Sequence, residues 1–203
     1  MMGAAGAGGG AAKTYVEDVF STWLYTGNGS TQTITNGVDL AGKGGLVWLK
    51  RRDLAGNNIL YNTTAGTGNY LSSNTTTGNQ TYDPAIYDIK SFNNNGFTLG
   101  EPWNSVNNNG NLFTSWTFRK APGFFDVVTY TGTGVNRTIA HSLGSVPGTI
   151  IVKRTDTAAD WQAYHRSLAN TEYLVVNSFA GKSTGTTRWN STTPTSTVFS
   201  LGT

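Results

Sequence analysis

The sequence has no cysteine, two histidines and only 12% charged residues over 203 positions. Without cysteine there is neither a disulfide framework nor a thiolate metal site, which favours a protein made or assembled inside a cell over a small secreted domain. Lys and Arg number 14 against 11 Asp and Glu, a net charge of +3. That field is too dilute for the basic stripe that nucleic-acid binding requires, so no nucleic acid is expected. The densest basic run, Lys50-Arg51-Arg52, closes the apolar stretch that begins at Gly45 and reads as the end of a buried strand. No stretch approaches the roughly 18 apolar residues of a spanning helix, so no membrane insertion is expected. Residues 1–12, MMGAAGAGGGAA, lack the basic start and leucine-rich centre of a signal peptide and do not fit the myristoylation pattern. They read as a side-chain-poor arm whose backbone can approach another backbone closely.

Aromatics reach 12% and glycine 26 residues, and the polarity comes from Asn, Thr, Ser and Gly. A disordered chain would carry more charge and fewer aromatics. Asn, Ser and Gly suit turns, and Thr and aromatics suit strands, while helix formers are sparse. The fold class that follows is all-β.

The chain also repeats itself. Phe20 to Gly29, with Tyr25-Thr26-Gly27 inside it, recurs as Phe125 to Gly134 with Tyr130-Thr131-Gly132. Leu46 to Arg51 matches Thr149 to Arg154, Asp53 matches Asp156, Tyr61 matches Tyr164, and Tyr70-Leu71 matches Tyr173-Leu174. Asn74 matches Asn177, and Gly96 to Gly100 matches Val198 to Gly202. Anchors in the same order at a nearly constant offset indicate two homologous modules, 19–120 and 124–203, after an arm over 1–18.

Each module reads as short strands separated by Asn/Gly turns, the spacing of a sandwich or jelly roll. Strands are expected over Val19–Thr26, Thr31–Thr35, Leu46–Lys50, Asn58–Tyr61, Asn69–Ser73, Ala85–Phe92, Gly96–Leu99 and Leu112–Arg119, with a helical turn conceivable only within Asp83–Ser91. The linker Lys120-Ala121-Pro122-Gly123 is short, so little independent motion between modules is expected. The second module stops soon after its Phe-Ser-Leu-Gly landmark, where the first goes on to a last strand. Either the chain is the first part of a longer polypeptide or another chain supplies that strand, since an open edge is an aggregation hazard.

Residues suited to chemistry are few. The acids are scattered, and Asp156-x-x-x-Asp160 lacks the dense alternation of oxygen ligands of a calcium loop. The first module has Asp53 and Asn57 at the same places, so a turn-ordering role accounts for both copies. His141 corresponds to Asn36 and reads as loop-ordering. No nucleophile elbow, phosphate loop or dinucleotide fingerprint occurs in a strand-then-helix setting. No enzyme activity, metal or cofactor is expected. Of the six Trp, Trp48 and Trp116 read as core, whereas Trp103 and the pair Arg188-Trp189 sit in polar loops and are candidates for a subunit interface or for stacking on a glycan.

The residues Tyr25 to Ile34, Gly45 to Lys50, Tyr70 to Thr76 and Ser91 to Gly100, with His141-x-Leu143-Gly144-x-x-Pro147 leading into Ile150-Ile151-Val152-Lys153, resemble the repeated modules of tail-fibre and related virion structural proteins of tailed bacteriophages, particularly phages of marine cyanobacteria. The resemblance covers nearly the whole chain from Phe20. It implies a lectin-like β-sandwich in a virion appendage, made and assembled in the host cytoplasm, homotrimeric, and joined to other tail proteins such as an adaptor or nozzle ring. It brings no catalytic residues. In such fibres the N-terminus attaches to the tail, which would give Gly3, Ala4, Gly6, Gly8, Gly9, Lys13 and Tyr15 an anchoring role. The alternative is a carbohydrate-binding adhesion module that meets host surface glycans directly.

Overall fold

A computed structural model describes residues 14–102 and 106–203. Strand makes up 39% of the described residues and helix 4%, as the turn-rich, Thr-rich composition dictates. The arm ends in a single helical turn, α1 (Val16–Val19), followed by β1 (Phe20–Thr26) and β2 (Gln32–Thr35). A second turn, α2 (Leu40–Lys43), comes before β3 (Gly45–Arg51). Its sequence signal is local: the Asp39 carboxylate accepts the Gly42 N–H at 2.8 Å, and Gly44 closes the turn with φ +74°. Then come β4 (Asn58–Asn62), β5 (Asn69–Ser72), β6 (Gln80–Thr81), β7 (Ile89–Asn93), β8 (Gly96–Leu99) and β9 (Leu112–Arg119).

These strands form two antiparallel sheets, ordered β1-β9-β3-β4-β5-β6 and β2-β8-β7. One core lies between them, built from Tyr25, Val47, Leu49, Ile59, Tyr61, Tyr70 and Phe113 on the larger sheet and Ile34, Ile89, Phe97 and Leu99 on the smaller. Alternation along β3 sends Val47 and Leu49, both 0% exposed, inward and leaves Leu46, Trp48 and Lys50 on the other face. Trp48 and Trp116, expected in the core, are half-buried on that outer face. They are directly opposed in the β3–β9 register with rings 5.9 Å apart in an edge arrangement. An apolar run does not reveal which of its residues face inward, and period-two geometry placed Val47 and Leu49 there.

The strand expected over 85–92 begins only at Ile89. Asp83 ties up the preceding residues: its carbonyl accepts the N–H groups of Ile86 and Tyr87, and its carboxylate accepts that of Ala85.

The second module repeats the plan in part. Its strands are β10 (Arg137–Ala140), β11 (Thr149–Val152), β12 (Gln162–His165), β13 (Glu172–Val175), β14 (Ser183–Thr184) and β15 (Val198–Leu201). The sheet β11-β12-β13-β14 reproduces β3-β4-β5-β6, and β10-β15 reproduces β2-β8. Phe125–Thr131, which the repeat aligns with β1, is not a strand. The reason is visible in the first module, where β1 pairs with β9 alone. Among the described residues the second module has no counterpart of β9, so Phe125–Thr131 has nothing to pair with.

Candidate functional site

The two copies of the repeat differ at two places: the seam between modules and a groove in the second.

At the seam, the turn after β5 meets the loop between β11 and β12. The Trp161 indole N–H donates to the carbonyls of Ser72 and Thr75, both at 3.1 Å, and the ring is 5% exposed. Around it Ala159 N–H donates to Thr76 O at 2.8 Å, Asn79 N–H to Thr155 O at 2.7 Å, and the Lys153 ammonium to Thr76 O at 3.0 Å. Burial pushes the Lys153 ammonium below its ordinary value, against the pull of Asp160. Trp161 aligns with Asn58, and the backbone at the two positions does the same work. Asn58 N–H donates to Asn74 Oδ1 and Trp161 N–H to Asn177 Oδ1, each at 2.8 Å. The asparagine amides in turn donate to Asn57 and Asp160, each at 2.9 Å. Asp160 is thus engaged in a turn, as the repeat implies. The exchange of Asn for Trp at this one position converts an internal turn into a contact with the other module. Nothing in the sequence around Trp161 distinguishes it; only its alignment with Asn58 marks an apolar residue where the repeat has a polar one.

The linker is held as well. Phe118 lies 5.0 Å from Phe20, 5.3 Å from Phe125 and 6.4 Å from Phe124. Asp126 pairs with the Lys120 ammonium at 2.9 Å and accepts the Ser142 N–H at 2.8 Å. Burial pushes the Asp126 carboxyl upward, but the Ser142 N–H and the Lys120 ammonium outweigh it and hold the group below the ordinary aspartate value.

His141 orders the following turn. Its Nδ1 accepts the Leu143 N–H at 3.3 Å, and Nε2 faces Thr195 O at 3.3 Å. Asn36, its counterpart, accepts the Val38 N–H at 3.2 Å. Arg51 and Arg154 likewise hold Asp53 and Asp156, at 2.7 and 2.6 Å. Those guanidinium bonds keep both carboxyls below their ordinary values.

The groove, about 370 Å³, opens at the mouth of the second sandwich between Tyr130, Val152, Arg154, Gln162, Arg188 and Leu201. In the first module the corresponding space is filled. Phe113 stacks on Tyr25 with rings 5.2 Å apart and 17° from parallel, and Tyr25 donates to Val106 O at 2.7 Å. Burial, with the Asp88 charge adding to it, pushes the Tyr25 phenol well above its ordinary value. Exposure records the difference: Tyr25 is 7% exposed and Tyr130 37%.

Trp189 was expected in an exposed loop but is 2% exposed. Its indole N–H donates to Glu172 O at 3.2 Å and its ring meets Tyr164 edge-on at 5.8 Å, so it belongs to the second module's core. Its neighbour Arg188 is exposed at the groove, its guanidinium 5.0 Å from the Tyr173 ring centre. Gly3, Ala4, Gly6, Gly8, Gly9, Lys13 and Trp103 lie outside the described residues. Tyr15 is described and is 58% exposed, with its N–H donating to the Asp18 carboxylate at 3.0 Å. Among the described residues no three His, Asp or Glu side chains cluster as metal ligands, and no helix is long and apolar enough to cross a membrane.

Fold and seam together define a class: an all-β protein of two antiparallel β-sandwich modules joined through a buried tryptophan. The chain belongs to a family described as a domain of unknown function (DUF7483), whose model matches residues 16–203 in a single span across both modules. No curated protein and no solved structure matches it.

Proposed function

We propose that this chain is a structural component of a phage virion, the tail-proximal part of a tail fibre that attaches to the tail, assembles as a homotrimer and works by assembly in host attachment. The observation that carries the reading is the seam. The buried Trp161 and the partly exposed ring cluster of Phe20, Phe118, Phe124 and Phe125 join successive repeats, which suits an appendage that transmits position and load. The resemblance to tail-fibre modules supports the virion part of it, and the Gly/Ala arm supports attachment, because small residues let neighbouring backbones pair closely.

Electron cryomicroscopy of particles with the chain labelled tests the position: density at the tail end of the fibre supports the reading, and density at its outer tip refutes it. Sedimentation should return three times the 21.6 kDa of the monomer, and a monomer at all concentrations refutes the trimer. Removing residues 1–12 should leave thermal melting unchanged and prevent incorporation into particles. A second reading, a module that grips host glycans, draws on Arg188 exposed at the groove beside Tyr173. Hits on a glycan array that disappear with Arg188→Ala favour it over the structural reading.

A further inference from the structure

We infer that the two histidines make the second module a pH-sensitive copy of the first: each imidazole caps a turn as a hydrogen-bond acceptor, and taking up a proton releases the cap. The chain has two histidines, and both lie in the second module. His141 Nδ1 accepts the Leu143 N–H at 3.3 Å, and His165 Nδ1 accepts the Ser167 N–H at 3.2 Å. The repeat places asparagine at both positions in the first module. There Asn36 Oδ1 accepts the Val38 N–H at 3.2 Å, and Asn62 Oδ1 accepts the Ala65 N–H at 2.8 Å. One copy fills both capping positions with an acceptor that does not titrate, and the other fills both with one that does.

The chemistry sets the sign. An imidazole that accepts at Nδ1 is neutral and carries its proton on Nε2, and at His141 that nitrogen faces the Thr195 carbonyl at 3.3 Å, as a donor would. Protonation puts a second N–H on the ring at Nδ1, where it opposes the Leu143 or Ser167 N–H, donor against donor. The caps are therefore complete above the histidine range and are lost as pH falls through it, from about 7.5 to about 5.5. Charged neighbours leave this sign unchanged. Beside His141 the linker brings Lys120 and Asp126, an ion pair at 2.9 Å whose charges offset one another, and Thr64 and Thr195 are uncharged. His165 lies opposite the uncharged Thr149 of β11, is followed by Arg166, and shares its hairpin with Glu172 of β13, whose carboxylate already accepts from Lys182 and from the Ala169 N–H.

Release reaches the linker through His141. Its turn holds that segment: Leu143 O accepts the Gly123 N–H at 2.7 Å, and the Ser142 N–H donates to Asp126 Oδ2 at 2.8 Å. Mild acid thus loosens the turns of the second module and their hold on the linker, while the first module keeps its caps. The device is the same whether or not the chain belongs to a virion.

The test is amide hydrogen exchange on the intact chain at about pH 7.5 and about pH 5.5, corrected for the intrinsic pH dependence of exchange. Protection at Leu143, Ser167 and Gly123 should fall about two- to fivefold at the lower pH, the loss of one ordinary hydrogen bond, while Val38 and Ala65 keep theirs as internal controls. Over the same range Tm should fall by about 2–4 °C. The double variant His141→Asn with His165→Asn copies the first module, so it should keep the parent's Tm at the higher pH and abolish the fall. Asp126 is held below the ordinary aspartate value, so its own titration lies outside this range. Equal protection of Leu143 and Ser167 at both pH values, an equal fall at Val38 and Ala65, or a pH dependence that survives in the double asparagine variant overturns the assignment.

Discussion

Replacing Trp161 by alanine should uncouple the two modules. The ring is 5% exposed, and removing a buried tryptophan costs about 3–5 kcal/mol through lost burial and the cavity left behind. For a chain of this length each kcal/mol lowers Tm by about 2–4 °C, so a fall of about 6–20 °C is expected. Trp161→Phe separates the two contributions. It keeps most of the apolar area and deletes the N–H shared by Ser72 O and Thr75 O. The Ser72 carbonyl keeps the Thr75 N–H at 3.2 Å, so the loss is that of one ordinary hydrogen bond, about 1 kcal/mol or about 2–4 °C. Calorimetry should also show the shape of the transition change. With the seam intact the modules melt together; in Trp161→Ala the second module, whose core is more exposed, should melt first as a separate peak. A Trp161→Ala protein that melts in one transition within about 1 °C of the parent would refute the reasoning.

Tyr61→Phe should destabilise by about 1.5–3 kcal/mol, because the buried phenol donates to the Asp88 carboxylate at 2.6 Å; denaturant titration reads it, and Tyr15→Phe on the exposed phenol should change nothing. Asp126 titrates below the ordinary aspartate value in the folded chain, so it contributes stability above that value and loses it as pH falls through the depressed folded one. Denaturant titrations between neutral pH and strong acid should therefore show stability falling at the acid end, and Asp126→Asn should flatten that limb; an unchanged acid limb would count against the Lys120 and Ser142 contacts. Appending a copy of residues 101–119 after Thr203 should raise Tm and protect the amides of Val128–Tyr130 from exchange, and an extension that leaves both unchanged would show that the second sandwich does not accept the strand.

The strand class and the repeat could be read from residue types because both are local. Asn/Gly turns fix where strands break, and a constant offset between anchors survives whatever the tertiary packing does. Short-range pairing is also what both copies keep: Asp53 and Asp156 are held by the arginine two residues back, Asn57 and Asp160 accept the side-chain amides of Asn74 and Asn177, and Asn36 and His141 accept a backbone N–H two residues on. What the residue pattern missed depends on long-range contacts. Trp189 sits among Thr, Arg and Asn, and its polar neighbours suggested an exposed loop, but the ring turns in to Tyr164 and Glu172. Trp48 and Trp116 are apolar residues of apolar strands, yet they pair on the face turned away from the core. Trp161 went unremarked because its role is defined by carbonyls nearly 90 positions away.

The most instructive failure is Phe125–Thr131. It shares Phe, Tyr and Thr at matching positions with the segment that forms β1, and it does not form a strand. Similar residues with different outcomes mean that the deciding information lies elsewhere, and the sheet order shows where. In the first module β1 touches the rest of its sheet only through β9, whose inward Phe113 completes the Tyr25 site and whose outward Phe118 packs on Phe20. A strand with no intrinsic partner cannot satisfy its backbone by pairing, whatever its propensity. The meander β3-β4-β5-β6 joins strands that follow one another in sequence, and the pair β2-β8, though Thr33 and Thr98 are 65 positions apart, lies within the part of the module that both copies contain; both arrangements recur. Closure of the sandwich needs β9, the one strand that brings β1 and β3 together. In the first module one strand thus does both jobs, covering Tyr25 with Phe113 and pairing along the whole of β3.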